Sequence, residues 1–592
     1  MSKNDTPAGI SRRQFLTATA GVAAASLSGL KLASAADSSA PSSATSASGW
    51  KRKHNILFVF TDQERYIPQW PEHMSLPGHE RVLRTGVTFR NHYCPAVMCT
   101  SSRAVMLTGL QTPDNGVFEN ADMAYVPPLS TQTPTIGHML RKAGYYTAYK
   151  GKWHLNPEFD REQMDHLFTK EMDAYGFSDY LWPGDVVGHT LGGHVYDNMI
   201  GGSAVSWLRR NGRTLSDEGK PWALFVSLVN PHDIMYFNTD APAEQVQDNG
   251  RLLMHAARAP EHAMYRRTWD QPLAANLTQP MDEPGRPKAH GEFLRSWGYT
   301  LGNIPPEAER WNRFTDYYFN CIRSVDQQIH AMLTELDALG LTEDTIVVFT
   351  SDHGEMGGAH GLRGKGPFAY EEITHLPLHV VHPDVQGGAG TKALTSHIDL
   401  VPSLLSMAGV NATKAAEFAG RELPGKDFSI AVADYRTSDL HTVRDSVLFT
   451  YSGLATNDSE LIRLVSEARA AGKDPREAVK AAGYRPDLKK RGSLRMVFDG
   501  RHKFTRYFSP LERNSPKTLD QLYAANDVEL FDLQSDPKEM TNLGARKGEN
   551  AELVAAMSAK LEAAIKAEIG IDDGREMPEV EGIDWRIDRI DL

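Results

Sequence analysis

Two unbroken apolar runs of strand length frame the chain. Asn55-Ile56-Leu57-Phe58-Val59-Phe60-Thr61 ends in Asp62-Gln63, and Thr345-Ile346-Val347-Val348-Phe349-Thr350 ends in Ser351-Asp352-His353-Gly354. Runs with no polar alternation predict strands buried on both faces of a parallel sheet. A third run, Trp222 to Val229, stops at Asn230-Pro231-His232-Asp233. Between the runs, helical and strand periods alternate. Thr135 to Gly144 reads as a helix with a glycine stop, Tyr145 to Tyr149 as a short strand, and Tyr317 to Leu339 as an amphipathic helix with Ile322, Val325, Ile329, Met332 and Leu333 on one face. This order predicts a doubly wound α/β fold, which binds its ligands at the carboxyl ends of the strands. Alone, either terminal acid is a loop cap. Together, Asp62 and Asp352 would converge into an oxygen-rich site for a hard divalent cation if both strands lie near the centre of one sheet.

The pattern weakens over residues 235–310, where Pro, Met and His are scattered with little period; so long an insertion is expected to cover a substrate site. Beyond about residue 430 the texture changes. Charged helices over 458–481 precede Arg495 to Phe504, a hairpin turning at Asp499-Gly500, and then the strand Glu529 to Leu533. A second, smaller unit is therefore expected over 431–592, after a main domain at 51–430. No internal repeat is visible.

Candidate chemistry gathers at Cys99-Thr100-Ser101-Ser102-Arg103, just before an apolar segment that stops at Thr108-Gly109. This reads as a loop entering a short helix capped by Ser102 or Ser101, with a nucleophile beside an arginine where unpaired N–H groups favour an oxyanion. The plain alternative is a buried cysteine next to an ordinary cap. Gly151-Lys152-Trp153-His154 puts an ammonium and an imidazole two residues apart, on the same side of an extended segment. Gly361-Leu362-Arg363-Gly364-Lys365-Gly366 is not a phosphate-binding P-loop, because residue 359 is alanine and no Ser or Thr follows Lys365. No Gly-x-Ser-x-Gly occurs, which disfavours a serine hydrolase.

Composition and charge narrow the class. The 592 residues carry a net charge of −12, with 41% apolar and 23% charged residues, which suits a soluble globular protein and argues against a nucleic-acid partner. Ser11-Arg12-Arg13-Gln14-Phe15-Leu16, an apolar run and Ala33-Ser34-Ala35 form a twin-arginine signal over 1–35, and the Ser/Ala-rich residues 36–50 read as a disordered linker. The expected partner is the twin-arginine translocase and the expected location periplasmic or secreted. No later segment approaches 18 uninterrupted apolar residues, so no membrane span is expected in the mature protein. Three cysteines (Cys94, Cys99, Cys321) do not make a disulfide framework.

The Cys99 stretch resembles the formylglycine sulfatase signature Cys-x-Pro-Ser-Arg with its Leu-Thr-Gly ending; Ser101 stands where the family has proline. Gly151-Lys152-Trp153-His154, the Pro231-His232 pair, Lys365 before Tyr370-Glu371-Glu372, the segment Ser396 to Leu405, and Glu529 to Asp532 with Asp536-Pro537 resemble further landmarks in the same order. The resemblance implies an alkaline-phosphatase-like α/β fold, a large mixed β-sheet sandwiched by helices with a smaller C-terminal α+β subdomain. It implies a small-molecule sulfate ester, aryl or alkyl, as substrate and a formylglycine-generating enzyme as partner. Cys99, oxidised to formylglycine, is the implied nucleophile. Asp62, Asp352 and His353, with Gln63 at the margin, would hold one divalent cation, Ca²⁺ with Mn²⁺ as the alternative. Arg103 would orient the nucleophile and Asn120 would donate to a sulfuryl oxygen. His232 and Lys365 would protonate the leaving alcohol, and His154, beside Lys152, would accept a proton when sulfate leaves. Asp-Gln with Asp-His is closest to the choline-sulfatase and phosphonate-monoesterase branch, so the alternative activity is phosphonate monoester or phosphodiester hydrolysis; a chain whose Cys99 stays a thiol would be a non-catalytic anion binder.

Overall fold

In this computed structural model residue 50 and residues 52–578 are described, apart from 161, 162, 164, 183 and 514; the signal and nearly all of the linker lie outside them. Eight strands form the main sheet: β1 (Asn55–Asp62), β2 (Val87–Tyr93), β3 (Tyr146–Gly151), β4 (Trp222–Pro231), β5 (Thr345–Ser351), β6 (His375–Leu376), β7 (Leu378–Val381) and β8 (Ala389–Ser396). Their order is β3-β4-β1-β5-β7-β2-β6, with β8 against β2. Strands β3, β4, β1 and β5 run parallel, while β7 is antiparallel to β5 and β2. The sheet is therefore mixed, and the adjacent strands β4, β1 and β5 are the three apolar runs. Every residue of β1, β4 and β5 is buried, as continuous apolar strands require.

The main helices are α1 (Cys99–Thr108), α2 (Ile136–Lys142), α3 (Gly192–Trp207), α4 (Lys288–Leu301), α5 (Ala308–Ala338), α6 (Leu400–Met407), α7 (Ser459–Ala470) and α8 (Ala551–Glu568). Helices α3 and α5 pack on β4 and on each other; α2 packs on β3 and joins α1 and α6. Among the described residues no helix is long and apolar enough to cross a membrane. A second sheet is antiparallel throughout, in the order β12 (Asp527–Asp532), β11 (His502–Phe508), β10 (Ser493–Phe498), β9 (Val447–Tyr451), with α8 packed on β9, β10 and β11. Its β10–β11 hairpin turns at Asp499-Gly500, where Asp499 Oδ1 accepts from the amides of Arg501 and His502 at 3.1 and 2.8 Å.

Three local expectations need correction. Neither Ser101 nor Ser102 caps α1: the helix starts at Cys99 with Met98 as the flanking residue, and the serine hydroxyls bond to Met98 O and Asp352 O. Helix α5 starts at Ala308 rather than Tyr317, because Trp311 and Phe314 continue its apolar face beneath the 235–310 segment. That segment contains α4, whose Phe293, Trp297 and Leu301 keep helical spacing and are buried, although Pro287 precedes it and the weak helix formers Gly291 and Gly298 dilute the signal.

Candidate active site

Strands β1 and β5 pair in register from Asn55↔Thr345 to Thr61↔Ser351, so Asp62 and Asp352 leave the sheet side by side. Helix α1 enters here with both of its chemically active residues buried. Arg103 is fully enclosed, and its guanidinium is shared four ways. Nε donates to Asp352 Oδ2 and Nη2 to Asp62 Oδ2, both at 2.9 Å; Nη1 donates to Lys152 O at 2.9 Å and Ser227 Oγ at 2.8 Å. Lys152 Nζ adds a second donor to Asp62 Oδ2 at 2.9 Å. Arg103 thus positions the two carboxylates.

With one oxygen of each acid held by cations, the other faces inward. Asp62 Oδ1 lies 3.5 Å from Cys99 Sγ and 3.6 Å from His353 Nε2, and Asp352 Oδ1 is also 3.6 Å from that nitrogen. His353 Nε2 is 3.2 Å from Cys99 Sγ. These four atoms lie within 4.8 Å of one another, all buried. His353 Nδ1 donates to Gly354 O at 3.0 Å, which leaves Nε2 as a bare lone pair, and burial pushes the imidazole down to about 4 so that it stays neutral. Two inward carboxylate oxygens, a neutral imidazole nitrogen and residue 99 are a donor set that fits one divalent cation. Gln63 stands at the margin, its Nε2 donating to Glu355 and its Oε1 accepting from Lys365 Nζ at 3.1 Å. Two other groupings, His54–His382–Asp384 and His360–Glu372–Glu539, already hold internal or lysine partners: His54 meets Asp384 at 3.3 Å and Lys503 meets Glu539 at 3.0 Å.

The two imidazoles near residue 99 differ in their hold on a proton. Lys365 Nζ donates to Cys99 Sγ at 2.8 Å. Burial would raise the Asp62 pKa, but Lys152, His232, Lys365 and Arg103 together hold it well below the usual carboxylate range. Burial and the charge of Lys152 push His232 well below its ordinary value, whereas His154 is raised, because Asp122 and Cys99 outweigh its burial. His154 Nε2 lies 3.6 Å from Asp122 Oδ1. Asn120, His154, Lys152, His232 and Lys365 line one pocket, in which Asn120 Oδ1 also accepts from Thr100 N at 3.4 Å.

The profile of the sulfatase family matches residues 54–410, more than half of the chain. The chain belongs to the sulfatase family. As a sulfatase it is a sulfuric ester hydrolase of the alkaline phosphatase superfamily. It is 26% identical over 388 residues to a choline-sulfatase of Rhizobium meliloti, covering 61% of this chain and 68% of that one. It is 24% identical over 513 residues to an N-acetylglucosamine-6-O-sulfatase of Bacteroides thetaiotaomicron, covering 78% and 89%. In fold it is similar to the phosphonate monoester hydrolase of Silicibacter pomeroyi, with a TM-score of 0.57 at 20% identity over 88% of this chain and 96% of that one.

The candidate site brings together Cys99, Arg103, Lys152, His154, His232, Lys365, Asn120, Asp62, Gln63, Asp352 and His353. The segment carrying Lys152 and His154 is not extended, however. Gly151 and His154 both have positive φ (92° and 55°), and the two side chains reach the pocket through a turn held by Asp185, which accepts from the amides of Trp153 and His154. Four supporting residues escape the sequence reading: Asp122, Asp185, Glu355 and Ser227. Only Ser227 leaves a signal, as the one hydroxyl inside the apolar run of β4.

Proposed function

We propose that this sulfatase hydrolyses an aryl or alkyl sulfate ester with formylglycine made from Cys99 and one divalent cation, Ca²⁺ with Mn²⁺ as the alternative, held by Asp62, Asp352, His353 and the margin of Gln63. The observation that carries the reading is the convergence of two inward carboxylate oxygens and His353 Nε2 on Cys99 Sγ, which stands where the oxygens of an oxidised residue 99 would be. The hydrated aldehyde would supply the attacking hydroxyl, and the cation would favour its ionised form and polarise a sulfate oxygen.

The chain's own groups do the rest. Lys152 and Lys365 receive the sulfate charge, and Asn120 turns its amide toward a sulfuryl oxygen. Lys365 is the proton donor for the leaving alcohol. His232, kept neutral by burial and two ammonium groups, gains a proton only beside an anionic ester and supports the same step. His154, with Asp122 behind it, accepts a proton at residue 99 as sulfate departs. Twin-arginine export to the periplasm, after modification in the cytoplasm by a formylglycine-generating enzyme, completes the reading. Parallel assays with 4-nitrophenyl sulfate and a phenylphosphonate monoester test it: faster turnover of the sulfate supports it, and turnover of the phosphonate alone assigns the chain to phosphonate hydrolysis. That second reading draws support from the Asp-Gln and Asp-His pairs.

A further inference from the structure

The pocket that opens on Lys152, His154, His232 and Lys365 has a second wall of different chemistry. Met235, Met254, Phe293 and Trp297 come from the 235–310 segment, Tyr451 from β9 and Ile462 from α7. Among the described lining residues, the charged side chains outside the cationic group around residue 99 are Asp122 and Asp160, and the neutral hydroxyls are those of Tyr236, Ser296, Thr300 and Tyr451. A carboxylate or second sulfate on the alcohol would meet thioethers, rings or another anion, with no compensating cation. A sugar would find four hydroxyl side chains, Tyr236, Ser296, Thr300 and Tyr451, but would set its remaining hydroxyls against thioethers and rings and lose hydrogen bonds to water there. An uncharged apolar alcohol gives up only its hydration.

The same wall holds the residue that protonates the leaving group. Phe293 and Trp297 lie edge to face at 5.4 Å on α4 and flank the Gly364-Lys365-Gly366 segment. A Cβ at Gly366 would fall 2.4 Å from Phe293 Cε2, and one at Gly364 would fall 3.4 Å from Trp297 Cζ2. Phe293 thus fits a notch that only glycine leaves at 366, while Trp297 lies at contact distance from Gly364, where the positive φ of 67° favours glycine. Helix α4 is fixed in turn: Glu292 Oε2 accepts from Ser459 Oγ at 2.7 Å and from Lys490 Nζ at 3.0 Å. The wall is built before substrate arrives.

Resting on the sulfate-ester reading, we infer that this outer half of the pocket is an alcohol subsite for an aryl or alkyl group that carries no negative charge, and that Trp297 and Phe293 set both that preference and the aim of Lys365. Trp297 is a specificity-determining and positioning residue, acting on proton transfer through Lys365. The test uses metal-loaded protein of known formylglycine content and n-alkyl sulfates from butyl to octyl, together with phenyl sulfate, 4-carboxyphenyl sulfate and glucosamine 6-sulfate. Expected is a rise in kcat/KM of about fourfold per methylene until the wall is covered, with 4-carboxyphenyl sulfate at least about tenfold below phenyl sulfate and glucosamine 6-sulfate at least about tenfold below hexyl sulfate. Trp297→Ala should flatten the alkyl series and lower kcat for the alkyl esters, and Trp297→Phe should restore most of both. A flat series in the native protein, or preference for the charged or sugar ester, overturns the subsite. The same alcohols are assayed as phenylphosphonate monoesters: activity on phosphonates alone removes the sulfate reading, and the slope across that series still decides the subsite.

Discussion

Replacing Arg103 by methionine probes how the two carboxylates are kept apart and aimed. The guanidinium is fully buried and makes four hydrogen bonds, two of them to ionised acids at 2.9 Å. Methionine keeps much of the volume, so the main loss is electrostatic. Asp62 Oδ2 retains Lys152, but Asp352 Oδ2 loses its side-chain donor inside the protein. Hydrogen bonds to charged groups contribute about 1.5–3 kcal/mol each, and removing one partner of a buried pair costs about 3–5 kcal/mol in measured cases. The expected destabilisation is therefore about 3–5 kcal/mol in chelator-treated protein. Arg103→Lys, which keeps the charge but cannot span both acids, should recover less than half of it. Denaturant unfolding followed by tryptophan fluorescence, with native and variant in the same chelator, gives the difference. A loss below about 1 kcal/mol for Arg103→Met would refute the reasoning, since it would mean that the carboxylates need no cation between them.

Other consequences are equally specific. Asp352→Ala should abolish bound metal and activity with a near-native far-ultraviolet spectrum, and full metal stoichiometry by elemental analysis would reject the ligand assignment. Lys365→Ala should slow esters of poor leaving groups far more than activated phenols; an equal loss across a phenol series would make Lys365 a binding residue. His79 is buried between Asp326 at 2.6 Å and Glu64 at 3.0 Å; burial lowers its pKa, but the two acids raise it to about 10. Its folded value exceeds the unfolded 6.5, so its contribution is complete below pH 6.5 and is lost as pH rises through about 10, at about 1.4 kcal/mol per unit of difference. The stability gap between native protein and His79→Gln should therefore shrink between pH 6 and pH 10, and a constant gap would count against the ion pairs. Ser101→Pro should raise the fraction of Cys99 converted and the specific activity together. The first backbone bond of α1 runs from Ser102 N to Met98 O, so proline at 101 removes no backbone bond of the helix and gives up only the Ser101 hydroxyl bond to Met98 O.

The parts of the site that the sequence reveals are those where burial leaves few choices. A strand enclosed on both faces tolerates little but apolar residues, so β1, β4 and β5 stand out, and an acid at such a strand end is conspicuous. Register then follows from pairing, which is why Asp62 and Asp352 meet although 290 positions separate them. Turns hide more. The positive φ of His154 and the role of Asp185 depend on a long-range contact with no local pattern. Arg103 shows the limit of reading by position: its place was legible, but only the geometry shows that its four hydrogen bonds go to the carboxylates, Lys152 O and Ser227. Helix α4 was hidden by its own glycines, and Asp122 by lying two residues from Asn120 in a stretch without period.

The central claim is that residue 99 acts as an aldehyde and not as a thiol. Trypsin releases Asn91 to Arg103, and mass spectrometry of that peptide counts cysteine against formylglycine in the same preparation whose sulfatase activity is measured. The account predicts that specific activity rises in proportion to the aldehyde fraction and vanishes in Cys99→Ala. Full activity from protein that contains only unmodified Cys99 would contradict it.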